Sequence, residues 1–211
     1  EMSLSMVELV DKNNEIQAKK RELELEALQY QINPHFLYNT LNMIRWMAVI
    51  VKADNIVNTI VALGNILRPV FSSKDSMCSL RDELSYVDNY LKIINMRFNN
   101  NITFTIDVDE QWMDCQVPRF ILQPLLENSI ASGRQSEDFA IQIRISVSGD
   151  QDRLMLCIID SGIGMDRESI NALNEKLASG ESPKSTVGGS GIGLNNVNKR
   201  IRLYYGPDFG I

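Results

Sequence analysis

From Leu9 to Val51 an apolar residue returns at every seventh position: Leu9, Ile16, Leu23, Tyr30, Leu37, Ile44 and Val51. From Leu23 onwards the positions four residues further on, Ala27, Pro34, Leu41 and Ala48, are non-polar as well. A seven-residue period sustained this far predicts a helix that packs along one seam, as in coiled coils and helical bundles. Charges between Lys12 and Glu26 are interspersed in sign, which suits a solvated face. Such a helix cannot bury its stripe alone, so a partner helix is required. Asp54 or Asn55 is placed to cap a second helix running to about Phe71, with Ile56, Ile60, Leu63 and Leu67 on one side. Two antiparallel helices joined near Lys52–Asp54 make a hairpin, and two hairpins make a four-helix bundle.

Beyond the hairpin the pattern changes. Ser72–Ser79 is polar and reads as a linker, and Ser79 with Asp82 resembles a capping box that starts a helix to about Phe98. Ile102, Phe104, Ile106 and Val108 alternate with polar residues, as in a half-buried strand. Pro118–Gly133 is helical in pattern, with Pro124 kinking it or setting its first turn. Ile141, Ile143, Ile145 and Val147 alternate again, and Leu154–Ile159 is a continuous apolar run, expected to be a strand covered on both faces. Met165–Ser190 is long, polar and Gly/Ser-rich in its second half, and predicts a lid-like connection. A last helix is expected from about Gly193 to Tyr205. The fold class is therefore α+β: a helical hairpin over residues 1–75, then an α+β domain over 76–211 with an antiparallel or mixed sheet.

The net charge of −6, without a basic stripe, argues against a nucleic-acid partner. Arg45 and Lys52 break the longest apolar run, which falls short of the roughly 18 residues a membrane span needs. Cys78, Cys115 and Cys157 are odd in number and widely spaced, which favours three reduced, buried thiols in a cytoplasmic compartment over a disulfide framework or zinc site. The sequence opens inside its helical repeat without an initiating Met, as a piece of a longer protein would.

His35 is the only histidine. A lone helical His is structural more often than functional, but this one lies one residue beyond the seam position Pro34 and so points towards solvent. Pro34 should bend the helix there, because it removes a backbone donor and crowds the carbonyl of Tyr30. Neutral imidazole, with an unperturbed pKa of about 6.5, is a good nitrogen nucleophile near neutral pH. A second constellation is Glu127-Asn128, then Asp160-Ser161-Gly162-Ile163-Gly164, then Gly188-Gly189-Ser190-Gly191-Ile192-Gly193-Leu194. A carboxylate at a strand end can accept from an amine such as that of adenine. The glycines allow close backbone approach, and the second glycine run opens a helix whose free N–H groups favour phosphate. Asn128 offers a neutral oxygen suited to a magnesium ion held mostly by phosphates and water. Each glycine string alone is a weak signal, and neither a dinucleotide fingerprint nor a P-loop is present. Their order along the chain is the stronger observation.

QINPHFLYNTLN at Gln31–Asn42 resembles the phosphoacceptor motif of LytS/YesM-type sensor histidine kinases. VPRFILQPLLENSI at Val117–Ile130, DSGIGM at Asp160–Met165 and GGSGIGLNNVNKRI at Gly188–Ile201 resemble the nucleotide-binding boxes of the same family. The resemblance runs from about Leu25 to Phe209. It implies a dimeric phosphoacceptor bundle and a Bergerat-type (GHKL) ATP-binding domain. It also implies ATP and Mg²⁺ as cofactors and a response regulator receiver domain as partner. The parent protein is expected to be a bacterial inner- or plasma-membrane sensor, anchored through a segment before this one, with this part cytoplasmic. Three points of comparison stand out. The family usually has Lys-His three and four residues after the Asn, where this chain has Ala131 and Ser132, so weaker ATP binding is expected. Phe36 follows His35, as in the family, whereas many other kinases have an acid there. The family's last strands, with a closing Gly-Thr motif, are expected beyond Ile211.

The resemblance implies autophosphorylation of His35. Asn128 would hold Mg²⁺, and Asp160 with Gly162 and Gly164 would fix the base. Gly189, Gly191, Gly193 and Leu194 would receive phosphate at the helix start. Glu127 and Asn39, one helical turn from His35, are the two candidates for holding the imidazole proton, and a plain solvated acid is an even alternative for Glu127. One competing reading is a water-activating ATPase of the gyrase or Hsp90 type. It needs a Glu where Pro124 stands and gives His35 no purpose. The other is a pseudokinase dimer that relays a conformational signal.

Overall fold

The computed structural model describes residues 34–72, 75–98, 101–133, 140–150, 152–179 and 192–211. The heptad members before Pro34, and the bend expected there, lie outside them. The chain divides into two compact units between Gly64 and Asn65.

In the first unit, helix α1 (Pro34–Ile50) is followed by helix α2 (Asp54–Ser72), whose later residues belong to the second unit. The turn between them is a left-handed helix end. Lys52 takes φ 55°, its N–H donates to Val49 O (3.0 Å), and the Ala53 N–H donates to Ala48 O (2.9 Å). These two bonds satisfy carbonyls that the end of α1 would leave unpaired. The expected hairpin joint near Lys52–Asp54 is thus present. On α1 only Ala48 is buried, while Phe36, Trp46 and Ile50 are 69%, 62% and 78% exposed.

The second unit carries strand β1 (Met77–Ser79), helix α3 (Leu80–Arg97), strand β2 (Ile102–Asp107) and strand β3 (Gln116–Pro118). Helix α4 (Leu122–Gly133), strands β4 (Ile141–Gly149) and β5 (Leu154–Asp160), and helices α5 (Arg167–Ser179) and α6 (Ile192–Tyr205) follow. Ser79 caps α3, its Oγ accepting from the Asp82 N–H at 3.1 Å, as the spacing predicts. The main sheet has the order β2-β4-β5 and is mixed. β2 and β4 run parallel with Phe104 opposite Ile143, and β4 and β5 antiparallel with Ile145 opposite Ile158. Parallel neighbours need a crossover, and α4 lies in it. The core joins Leu84, Val87 and Leu91 of α3 to Leu122, Leu126 and Ile130 of α4 over Ile102, Ile141, Ile143 and Ile145 of the sheet. Each such fully buried side chain contributes about 1.5–3 kcal/mol.

Four expectations are corrected. The polar linker 72–79 ends in β1, which pairs antiparallel with β3, Cys78 opposite Val117. The helical reading of 118–133 holds only from Leu122, because β3 and an elbow precede it. β5 is not covered on both faces: Met155 and Ile159 are exposed, on the side of the sheet that carries Arg144 and Ser148. An antiparallel edge strand needs only one dry face. Half of the expected lid is α5, started by Asp166, whose Oδ1 accepts the Ser169 N–H at 2.8 Å. That bond holds the Asp166 carboxyl below its ordinary range.

Candidate functional site

Asp160 closes β5, opposite Ile143. Its Oδ1 accepts the Gly162 N–H at 2.9 Å and lies 3.2 Å from the Ser132 hydroxyl, which also reaches Ser129 O at 2.8 Å. The strand end is therefore folded back onto α4. Position 162 tolerates no side chain: a Cβ there would sit 2.1 Å from Ser132 Oγ and 2.8 Å from Asp160 Oδ1. Gly164 takes φ +70°, which favours glycine. With Oδ1 engaged, Asp160 Oδ2 is the carboxylate oxygen left for a ligand donor.

Asn128 lies one turn before Ser132 on α4, so both belong to the same stretch of helix surface. Its Nδ2 is buried and has no protein partner. A buried amide donor without an acceptor costs about 1–3 kcal/mol, and a phosphate or water oxygen would remove that cost. Gly193, in the first turn of α6, approaches α4 closely: a Cβ on it would meet Pro124 Cβ at 3.2 Å. Pro124 lies in the first turn of α4, where its missing donor is harmless. Leu194 is half-buried beside Gly193. Gly189 and Gly191 lie outside the described residues. Asn128, Ser132, Asp160, Gly162 and Gly193 thus gather around one helix.

His35 and Asn39 are in the first unit, one turn apart on α1, both exposed. The Asn39 amide nitrogen is 3.2 Å from His35 Nε2 and 3.4 Å from Nδ1. Either end of that amide can face the ring, so Asn39 can donate to a bare ring nitrogen or accept from a protonated one.

Residues 23–102 match the family model "Histidine kinase", and residues 113–209 match "Histidine kinase-, DNA gyrase B-, and HSP90-like ATPase". Sensor histidine kinase YesM of Bacillus subtilis is 36% identical over 204 residues, which is 97% of this chain and 33% of that protein. Sensor histidine kinase YpdA of Escherichia coli is 32% identical over 96% of this chain and 34% of its own length. Sensor protein LytS of Oceanobacillus iheyensis is 31% identical over 89% and 32%. The chain belongs to the LytS/YesM-type sensor histidine kinases. It spans about a third of the length of these relatives. The α+β architecture and the GHKL-type second unit accord with the family models.

Some neighbours of the site residues carry no sequence signal of their own. Glu127 is exposed, and its Oε1 accepts from Gln123 Nε2 at 2.9 Å and from the Tyr90 hydroxyl at 3.4 Å. Burial pushes the Tyr90 phenol up to about 12, helped by the Glu127 charge beside it. The Tyr86 hydroxyl donates to Gln123 Oε1 at 2.7 Å, so two tyrosines of α3 anchor the exposed side of α4. Ser132, which departs from the family pattern, is the residue that touches Asp160. Glu83 is 2% exposed and was missed altogether. Its signal was available: it occupies the buried stripe of α3 between Leu80 and Leu84, where an apolar residue belongs. Among the described residues no group of three or more His, Cys, Asp or Glu converges as a metal site, and no helix is long and apolar enough to cross a membrane.

Proposed function

We propose that this chain is the transmitter part of a sensor histidine kinase that uses Mg-ATP to phosphorylate its own His35. The phosphoryl group then passes to an aspartate of a response regulator receiver domain. The observation that carries the reading is the buried, unpartnered Asn128 Nδ2 one helical turn from Ser132, whose hydroxyl contacts Asp160. That arrangement suits a ligand with oxygen acceptors at one end and an exocyclic amine at the other.

In this reading Asp160 Oδ2 accepts from the adenine amine, Gly162 and Gly164 let the base approach the backbone, and the start of α6 at Gly193 and Leu194 receives phosphate charge. Gly189 and Gly191 extend the same phosphate-binding run. The Asn128 Nδ2 would donate to a phosphate or water oxygen, and its Oδ1 would be the atom to hold a magnesium ion otherwise ligated by phosphate and water; the ion would offset phosphate charge. A ring nitrogen of His35 forms the N–P bond with the γ-phosphorus while the P–O bond to ADP breaks. The proton on the other ring nitrogen is held by Asn39 Oδ1 or by Glu127. The contact between Asn39 and the ring supports Asn39, and the ties of Glu127 to Gln123 and Tyr90 support a positioning role for that acid.

Histidine kinases generally dimerise and signal to response regulators. The exposed apolar side of α1 supports dimerisation here. Residues 1–75 then form the phosphoacceptor bundle and 76–211 the ATP-binding domain of a longer, membrane-anchored bacterial sensor whose transmitter faces the cytoplasm. Ala131, where the family usually has Lys, favours a second reading, a pseudokinase with little nucleotide binding.

The deciding experiment is incubation of the dimer with γ-labelled ATP and magnesium, followed by acid and alkali treatment. An alkali-stable, acid-labile label that is lost in His35→Gln is expected. A label that persists in that variant rules out His35 as the acceptor.

A further inference from the structure

The transfer chemistry makes no use of the most deeply buried acid among the described residues. Glu83 reaches from α3 to an elbow nearly forty residues further along the chain. Its Oε2 accepts the Phe120 N–H at 2.8 Å and its Oε1 the Leu122 N–H at 3.0 Å. Leu122 is the first residue of α4, so its N–H has no acceptor within the helix. Phe120 takes φ 57°, a left-handed conformation that a bulky residue keeps only when its surroundings enforce it.

The surroundings here are specific. The Phe120 ring meets Tyr86 edge-on, with centroids 4.8 Å apart. Arg200 of α6 donates to the Arg119 carbonyl at 2.6 Å, one residue before the strained position. The same elbow borders a cavity of about 450 Å³ lined by Phe120, Pro124, Gly193 and Arg200 among others. Elements α3, α4 and α6 therefore meet at residues 119–122. The two helices that leave this node carry Asn128 and Gly193.

A local cap would satisfy the start of α4 more cheaply. Ile121, just before the helix, has no side-chain acceptor, so the acceptor comes from another helix at the expense of burying a carboxylate. Desolvation holds the Glu83 carboxyl above its ordinary range, and the N–H groups of the elbow and the Arg200 charge offset only part of that rise. What a distant acceptor gives and a local cap cannot is a fixed relation between α3 and the elbow.

We propose that Glu83 is a positioning residue of the nucleotide site: its buried carboxylate holds the 119–122 elbow so that α4 presents Asn128, and α6 presents Gly193, to the nucleotide. The inference rests on the nucleotide reading above. Outer-shell groups that orient metal ligands are typically worth about ten- to a hundredfold in affinity, and an effect of the same order is expected for this elbow.

The test is calorimetric titration with the magnesium complex of a non-hydrolysable ATP analogue. It uses wild type, Glu83→Ala, Glu83→Gln and Leu91→Ala, each held well below its own melting transition. Leu91 is fully buried on the same helix and away from the elbow, so its variant reports lost stability alone. Glu83→Ala should bind at least about tenfold more weakly. Glu83→Gln keeps one acceptor and should recover part of that loss. Leu91→Ala should melt earlier yet bind as wild type does. Affinity unchanged in Glu83→Ala, or weakened equally in Leu91→Ala, overturns the positioning role. Should Glu83→Ala fail to fold, wild-type affinity in Glu83→Gln overturns it equally. A wild-type protein that does not bind the analogue removes the nucleotide reading, and this role with it.

Discussion

Helix α1 buries one of its seventeen residues, whereas α3, one residue longer, buries six. The contrast follows the chemistry each unit is proposed to perform. A histidine that must meet a nucleotide and then a second protein has to stand on an open surface, and His35 does. Groups that hold a nucleotide must be fixed before it arrives, and Asn128, Ser132 and Asp160 are fixed by a dry core beneath them. The second unit encloses its own core, while the first leaves an apolar surface that a second copy covers in the proposed reading.

The largest effect should come from separating the two units' roles. Asn128→Asp or Asp160→Asn should lower labelling from ATP more than about a hundredfold, since each removes a direct ligand contact. Light scattering should meanwhile give the same mass as wild type. Loss of the dimer in either variant would mean that the units are not independent in this way.

The converse perturbation falls on the hairpin. Ile44 belongs to the seven-residue series and is 38% exposed. Ile44→Glu should forfeit about 1 kcal/mol of apolar burial per protomer, place a charge in the seam, and shift the dimer towards monomer at micromolar concentration. Binding of the nucleotide analogue should stay unchanged. A stable dimer in that variant would move the seam to another face of α1.

Ala131 offers a smaller change inside the site. It is exposed on α4, three residues beyond Asn128. Ala131→Lys adds a cation within reach of phosphate, worth about 1 kcal/mol after solvent screening, or about fivefold in dissociation constant. Titration of Mg-ATP into both proteins measures it. Unchanged affinity would mean that another group already neutralises the phosphates and would weaken the pseudokinase alternative.

The smallest effect concerns Tyr90, whose phenol is raised to about 12 by burial and by Glu127. The folded value lies above the ordinary one near 10, so this stabilisation is complete below about pH 10 and fades as pH rises through 12. Ultraviolet difference spectra of wild type against Tyr90→Phe should show no phenolate from Tyr90 at pH 10. Phenolate there would mean that the phenol is not buried beside Glu127. At neutral pH the substitution should cost only about 0.5–1.5 kcal/mol.

Features with a local cause were legible in the chain. The Ser79 cap needs only an acceptor three residues before its donor, and the alternation in β2 and β4 needs only a half-buried sheet. The turn after Asp160 needs glycine where a Cβ would strike Ser132, and glycines stand there. The helix start at α6 was announced by its glycine run. The start of α5 was equally local, in Asp166 and Ser169, but the serine- and glycine-rich sequence after it masked the signal.

What remained hidden depends on partners far along the chain. No pattern in Met77–Ser79 or Gln116–Pro118 announces that these three-residue strands pair, because so short a strand carries no period of its own. The exposure of Met155 and Ile159 follows from the place of β5 in the strand order, which its apolar run does not encode. The sequence by itself determined the longer helices and the three strands of the main sheet, since capping, periodicity and glycine turns act within a few residues. Only the tertiary structure decided that Ser132 meets Asp160, that Asn128 is left with a buried free donor, and that Glu83 closes the elbow at Phe120. Each of these is a choice of partner across 28 to 39 residues, or the lack of one, and such choices are set by how the core packs rather than by local propensity.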